Sequence, residues 1–329
     1  MSERRRAAEP SAALPQLTVV MPNYNGRALL EEALPSLAAQ TFKPSAIVIV
    51  DDCSDDDSVA YLRAHWPRVQ VRALPAHLGV TAALNACLNA ADTELVALFN
   101  NDMELDPECL AELVAELDRD PLIGSVTPKM LDFSDRSVLD GAGDLLSWRA
   151  GGRRRGHGDR DIGQYEQALE VFGPCGGAAV FRRTALQAVG GFDEAYYAYY
   201  EDIDWAFRAQ LLGFRCRYVP RAILYHHGSA TLGRGLTDFN GYHLWRNPIW
   251  LVAKCYPAGA IVRHAPALIR GQAGNLFAAL RVRRGRVWAR AMRDALQGLP
   301  AAVRKRRRLQ RARTISLREL ERVASAGRR

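Results

Sequence analysis

The sequence predicts an α/β fold: a mostly parallel central sheet flanked by helices, followed by a helical, basic C-terminal appendage. Three observations predict it. Short runs rich in Val, Ile and Leu, the pattern of strands buried on both faces, fall at residues 17–21, 46–50, 69–72 and 94–99. Helix-like segments separate these runs, and strands alternating with helices through right-handed crossovers lie parallel. Beyond about residue 232 the pattern turns helical and rich in Arg and Ala.

Taken in order, residues 1–15 form a basic N-terminus carrying Arg4, Arg5 and Arg6, expected to be disordered. After the first strand, Leu29, Leu30, Ala33, Leu34 and Leu37 recur at helical spacing, with Pro35 expected to kink that helix or to begin its second turn. Residues 80–91 and 107–117 read as further helices, the second with Asp106 as N-cap and Pro107 at the first helical position. The segment 132–164 is interrupted by six glycines, from Gly141 to Gly158, and reads as an irregular insertion with room for short antiparallel strands. A catalytic domain is therefore expected over 16–231 and a helical region over 232–329. In such sheets ligands bind beyond the carboxyl ends of the strands. The polar clusters Pro22–Gly26, Asp51–Asp57 and Asn100–Asp102 all fall there, and so make one site.

A chain of 329 residues with 48% hydrophobic content buries a sizeable core, which excludes a disordered protein. The net charge of +8 is uneven, because residues 304–313 carry seven basic side chains and no acid. Six scattered cysteines, without C-x-x-C or zinc-ligand spacing, read as reduced thiols of a cytosolic protein. No apolar run follows the N-terminal arginines, so no secretory signal is expected. The best apolar stretch, 249–262, is broken by Lys254 and Pro257 and falls short of the roughly 20 residues a membrane span needs.

Several clusters carry chemistry beside a plainer reading. Asp51, Asp52, Ser54, Asp55 and Asp56 suit a capping turn, and equally an acid holding a nucleotide base or ribose. Asp102 reads as a helix cap or as the one carboxylate of a Mg²⁺ or Mn²⁺ site completed by phosphate oxygens. The pair His226 and His227 reads as packed histidines, or as an imidazole donor if the fold carries it to Asp102. Glu201, Asp202 and Asp204 suit a helix N-terminus, and Asp204 pairs with Arg208 at helical spacing. Glu201 and Asp202 also follow four tyrosines, an apolar setting that raises a carboxylate toward the range of a useful base.

With these residues assembled, the chain resembles the inverting glycosyltransferases of family 2, which have the Rossmann-like GT-A fold. The matching text is Val19–Gly26, Gln40–Phe42, Ile47–Asp52, Gly79–Asn85, Phe99–Asp102, Cys175–Gly177, Gly190–Glu194, Glu201–Asp204 and His226, about two thirds of the chain in the expected order. Within that family it is similar to bacterial members that build surface polysaccharide or cell-wall linkers, often called rhamnosyltransferases. The resemblance implies a donor pocket from Pro22, Tyr24, Asn25, Asp52 and Asn101, a divalent metal on Asp102 and His226, and an acceptor site at Gly176, Gly177 and Trp205. It implies Asp202 as general base with Glu201 beside it, a UDP- or dTDP-linked sugar as donor, and a lipid-linked or glycan acceptor. The chain departs from the family pattern at His77, where Asn is common, at Cys53, and at Asn100–Asp102, where one acid stands for two.

The tail reads as a solvated charged face, or as a surface for anionic lipid, since Leu276, Phe277, Leu280 and Trp288 alternate with arginines ahead of it. The expected location is cytoplasmic, peripheral at the inner face of the cell membrane. The rival use of such a tail, nucleic-acid binding, lacks any reading module, and no G-x-G-x-x-G follows the first strand to suit a dinucleotide enzyme.

Overall fold

A computed structural model describes residues 15–228 and 236–326. The expected disordered N-terminus and the expected domain boundary at 231/232 lie outside the described residues. In chain order the elements are β1 (Leu17–Asn23), α1 (Arg27–Ala38), β2 (Ala46–Asp51), α2 (Ser58–His65), β3 (Gln70–Ala73), α3 (Val80–Ala90), β4 (Leu95–Phe99), β5 (Met103–Leu105) and α4 (Cys109–Asp118). There follow β6 (Ile123–Asp132), β7 (Leu139–Gly141), β8 (Asp144–Ser147), β9 (Gly151–Arg154), β10 (Leu169–Val171), β11 (Ala178–Arg182), α5 (Arg183–Val189), α6 (Glu201–Leu211) and β12 (Arg215–His226). Five helices close the chain: α7 (Asp238–Cys255), α8 (Ala258–Arg263), α9 (Ala265–Arg281), α10 (Gly285–Ala312) and α11 (Leu317–Ser325).

The main sheet runs β10-β12-β6-β11-β4-β1-β2-β3, with β5 and β7 joined to β12 and β6. Strands β3, β2, β1 and β4 are parallel as expected, and beyond β4 the sheet becomes mixed because β11 runs antiparallel to both neighbours. Burial follows the two-residue period of a strand. Leu17, Val19 and Met21 of β1 and Leu95, Ala97 and Phe99 of β4 join the core under α1 and α4, whereas Val20, Val96 and Leu98 join the core under α3. Each such Val, Leu, Met or Phe side chain contributes about 1.5–3 kcal/mol on burial.

Pro35 stays inside α1, which continues to Ala38. Helix α4 begins at Cys109 rather than Pro107, because Asp106 caps an earlier turn, accepting the Glu108 N–H at 3.2 Å and the Cys109 N–H on its carbonyl. The glycine-rich insertion does contain antiparallel pairing, β8 on β9. The C-terminal helices are no loose appendage. Leu251, Cys255, Tyr256, Leu309 and Leu320 pack with Ile203, Phe207 and Leu211 of α6 in one cluster.

Candidate active site

Two adjoining cavities open at the carboxyl ends of β1, β2 and β4. The first, about 300 Å³, is lined by Pro22, Tyr24, Asp52, His77, Asn101, Asp102 and Tyr197, among others. Its walls are braced by the strand-end acids and amides. Asp51 ties β1 to β2, accepting from Asn23 Nδ2 at 2.8 Å and Ser54 Oγ at 2.7 Å. Asp52 accepts the backbone N–H groups of Leu78 at 2.8 Å and Gly79 at 3.0 Å and lies 2.9 Å from His77 Nδ1. The His77 ring stacks on Tyr24 with centroids 4.1 Å apart, so the family departure at this position extends the aromatic wall. Asn101 donates to Asn23 Oδ1 at 2.8 Å. Asn25 does not line this cavity; its φ of 49° and its acceptance of the Asp55 N–H at 2.8 Å make it the lock of the loop instead.

The second cavity, about 370 Å³, shares Asn100 and Asp102 with the first and adds Asp144, Arg154, Gly176, Gly177, Glu201, Asp202 and His226. Strand pairing explains how residues so far apart in sequence meet. The end of β12 runs antiparallel to β5 with His226 opposite Met103, which sets His226 Nε2 3.4 Å from Asp102 Oδ2. Asp140 holds the other ring nitrogen, Nδ1, at 2.7 Å and pairs with Arg154 at 2.6 Å. Asp102 is buried and its Oδ1 has no hydrogen-bond partner. Burial works against a charge on His226, yet hydrogen bonds to Asp102 and Asp140 outweigh it and lift the imidazole to about 9. His227 turns aside to Glu32 at 2.8 Å and stacks on Phe133. Among the described residues no group of three or more His, Cys, Asp or Glu side chains is placed to hold a metal ion.

Glu201 and Asp202 open helix α6 and face the cavity. Burial raises the Asp202 carboxyl above the usual carboxylate range. Burial, then the neighbouring Asp202 charge, lifts Glu201 to about 8. A Cβ on residue 176 would stand 2.4 Å from Asp202 Oδ2, so glycine there is what lets the carboxylate lie against the strand end. Gly177, at φ +79°, makes the same allowance for Asn100. Asp204 is structural, as its pairing predicts: fully buried, it accepts from Arg208 and Lys254, each at 2.8 Å.

Trp205 does not belong to the cavity. Its indole is 1% exposed, donates to the Gly190 carbonyl at 3.0 Å and packs edge-on against Phe181, so its expected acceptor role is replaced by a core role. Three contributors escaped sequence reading. Asp140, Asp144 and Arg154 come from the irregular insertion, where an acid–glycine run was the one available sign. A further omission is Asn247 of α7, fully buried, whose amide donates to the carbonyls of Tyr196, Ala198 and Tyr199 at 3.3, 2.9 and 2.7 Å. Arg246 adds bonds to the Ala195 and Tyr196 carbonyls. Together they hold a loop in which Tyr197, Tyr199 and Tyr200 all have positive φ.

Comparison with known proteins gives this geometry its context. The family described as Glycosyl transferase family 2 matches residues 18–190. An N-acetylglucosaminyl-diphospho-decaprenol L-rhamnosyltransferase of Mycobacterium tuberculosis is 29% identical over 240 residues, 66% of this chain and 78% of that protein. Among solved structures, TarS of S. aureus in complex with UDP-GlcNAc superposes with a TM-score of 0.60 at 18% identity, covering 90% of this chain and 91% of that one. A mannosyltransferase from Pyrobaculum calidifontis in complex with GDP-Man and Mn²⁺ gives 0.53 at 20% identity, covering 92% and 86%.

Proposed function

Because this chain belongs to glycosyl transferase family 2 and is a glycosyltransferase of the GT-A fold, we propose that it moves a sugar, rhamnose foremost, from a UDP- or dTDP-linked donor to a hydroxyl of a lipid-linked or polysaccharide acceptor in cell-envelope glycan synthesis. The observation that carries this reading is the placement of Asp202 in the same cavity as Asp102 and His226, next to a cavity of nucleotide size. The lipid-diphosphate named for the mycobacterial relative supports the acceptor class.

Pro22, Tyr24 and Asp52 would hold the base and ribose, with Asn101 toward the diphosphate. Asp102 and His226 fit a divalent cation: Asp102 Oδ1 is buried without a partner, and Asp140 fixes the imidazole so that Nε2 faces Asp102. Mg²⁺ or Mn²⁺ bound there would neutralise charge growing on the departing diphosphate, whose oxygens would complete its ligand set. Asp202 takes the acceptor's hydroxyl proton as that oxygen bonds to the anomeric carbon and the bond from this carbon to the phosphate oxygen breaks on the opposite face. Inversion follows from the single displacement, and the raised Asp202 carboxyl is a stronger base than an exposed one.

A thermal-shift panel of nucleotide sugars with Mn²⁺, Mg²⁺ or EDTA identifies the donor. Asp202→Asn is then expected to keep donor affinity while transfer falls on the order of 10²–10⁴-fold; near-normal turnover would remove Asp202 as the base.

Membrane contact is proposed as peripheral and cytoplasmic. No helix of the described residues is long and apolar enough to cross a bilayer. Support comes from α9, where Ile269, Phe277 and Leu280 are 69%, 68% and 59% exposed on one side, within residues 257–293 that hold eight arginines and no acid. Leu276 and Trp288 are half-buried, and Trp288 packs toward Trp245, so they contribute less than their spacing implies. The 304–313 run is partly engaged too, Lys305 with Asp193 and Arg306 with the Ala253 and Tyr256 carbonyls; the family match gives the rival nucleic-acid reading no support.

A further inference from the structure

Strand β8 places Asp144 where a core residue belongs. Asp144 and Leu146 share the buried side of the strand, and the main chain at Asp144 is fully bonded, its N–H to the Gly173 carbonyl at 2.9 Å and its carbonyl to the Phe172 N–H at 3.0 Å. The side chain is 6% exposed, lines the larger cavity beside Asp202, and leaves its Oδ1 buried without a hydrogen-bond partner. Arg154, which also lines that cavity, is committed to Asp140. The Oε2 of Glu201, which lines the same cavity, is likewise buried and unpartnered. Leaving a buried acceptor unsatisfied costs roughly 1–3 kcal/mol, and more for a charged group, so an apolar residue at 144 would be the cheaper filling. Two such acceptors on one cavity are what a ligand bearing several hydroxyl donors would satisfy.

We propose that Asp144 is a specificity residue that accepts a hydrogen bond from a ring hydroxyl of the sugar seated against Asp202. The inference rests on the glycosyltransferase reading of this cavity and adds the recognition of the sugar itself, separate from the nucleotide and the cation. A carboxylate suits the task because it only accepts, and its bonds to hydroxyls are charge-assisted and short. A site built to satisfy a hydroxyl rejects the analogue that lacks it, since the buried acceptor then stays unpaired. The hydroxyl belongs to the donor sugar or to the acceptor sugar, and the two are separable by experiment.

Asp144→Ala and the isosteric Asp144→Asn are compared with the unaltered protein by calorimetric titration of dTDP-rhamnose, UDP-GlcNAc, dTDP and UDP, each with Mn²⁺, and by transfer to a GlcNAc-diphospho-lipid. If the donor sugar is read, Asp144→Ala weakens the nucleotide sugar at least tenfold, leaves dTDP and UDP unchanged, and Asp144→Asn recovers part of the loss. If the acceptor is read, nucleotide-sugar affinity holds and acceptor KM rises at least tenfold. The proposal is overturned if neither quantity moves, or if dTDP and UDP weaken in the same proportion as their sugars, which marks Asp144 as a prop for the Asp140–His226 cluster. Absence of nucleotide binding in the unaltered protein would instead overturn the donor reading beneath it.

Discussion

Trp205 lies three residues beyond Asp202, in the same turn of α6, yet its ring fills the core between Phe181 and the Gly190 carbonyl. Trp205→Ala is therefore expected to lower unfolding free energy by about 3–5 kcal/mol in a urea titration, with acceptor KM little changed in the protein that remains folded. A rise in KM without loss of stability would return Trp205 to the site. At this scale the sequence was legible where a cavity residue sits at a strand end: Asp52, Asn101, Asp102 and His226 all line the two cavities and stand where apolar runs stop. It was opaque at Asp140, which meets His226 across 86 positions, because only the folded insertion brings a Gly-flanked acid to an imidazole.

Helix α7, which also lends Phe239 and Leu244 to the two cavities, shows how an element late in the chain shapes the site. Non-glycine residues at positive φ cost about 1–3 kcal/mol each and persist only where neighbours enforce them. Tyr197, Tyr199 and Tyr200 are three such residues in the loop that leads into Glu201 and Asp202, and the Asn247 amide donates to the Tyr196, Ala198 and Tyr199 carbonyls of that loop. Asn247→Ala is expected to reduce kcat on the order of tenfold or more through misplacement of Asp202, with a smaller change in affinity for UDP and Mn²⁺. Equal losses in both would mean general loosening of the fold, and no loss would release Asn247 from its positioning role. Strands β6 and β12 were the elements least readable in advance. Strand β12 is interrupted by Pro220 and Arg221 at a register shift between Val219 and Ile223, so its apolar content is split in two, although proline at such an irregularity is ordinary in a sheet. Strands β1, β2 and β4 were readable because they are short, apolar and buried on both faces, whereas β3, expected to be buried likewise, is the largely exposed edge strand of the sheet.

Over the whole molecule, charge and burial divide the surface. The acid-free arginines and the exposed Ile269, Phe277 and Leu280 belong to helices that also complete the core around α6. Replacing both Ile269 and Phe277 with Glu is expected to lower co-flotation with vesicles containing phosphatidylglycerol at least several-fold, while donor hydrolysis in solution is retained; unchanged flotation would place the contact elsewhere. Sequence composition set the catalytic domain and the helical region apart, but their shared core is visible only once α7 and α11 are seen against α6. The same closure has a bearing on timing. Asn247 follows Tyr199 by 48 positions, and a chain leaves the ribosome from its N-terminus. A nascent protein from which Asp52, Asp102, Asp202 and His226 have all emerged still lacks the amide that settles its tyrosine loop, so that loop takes its final form only once α7 has been made.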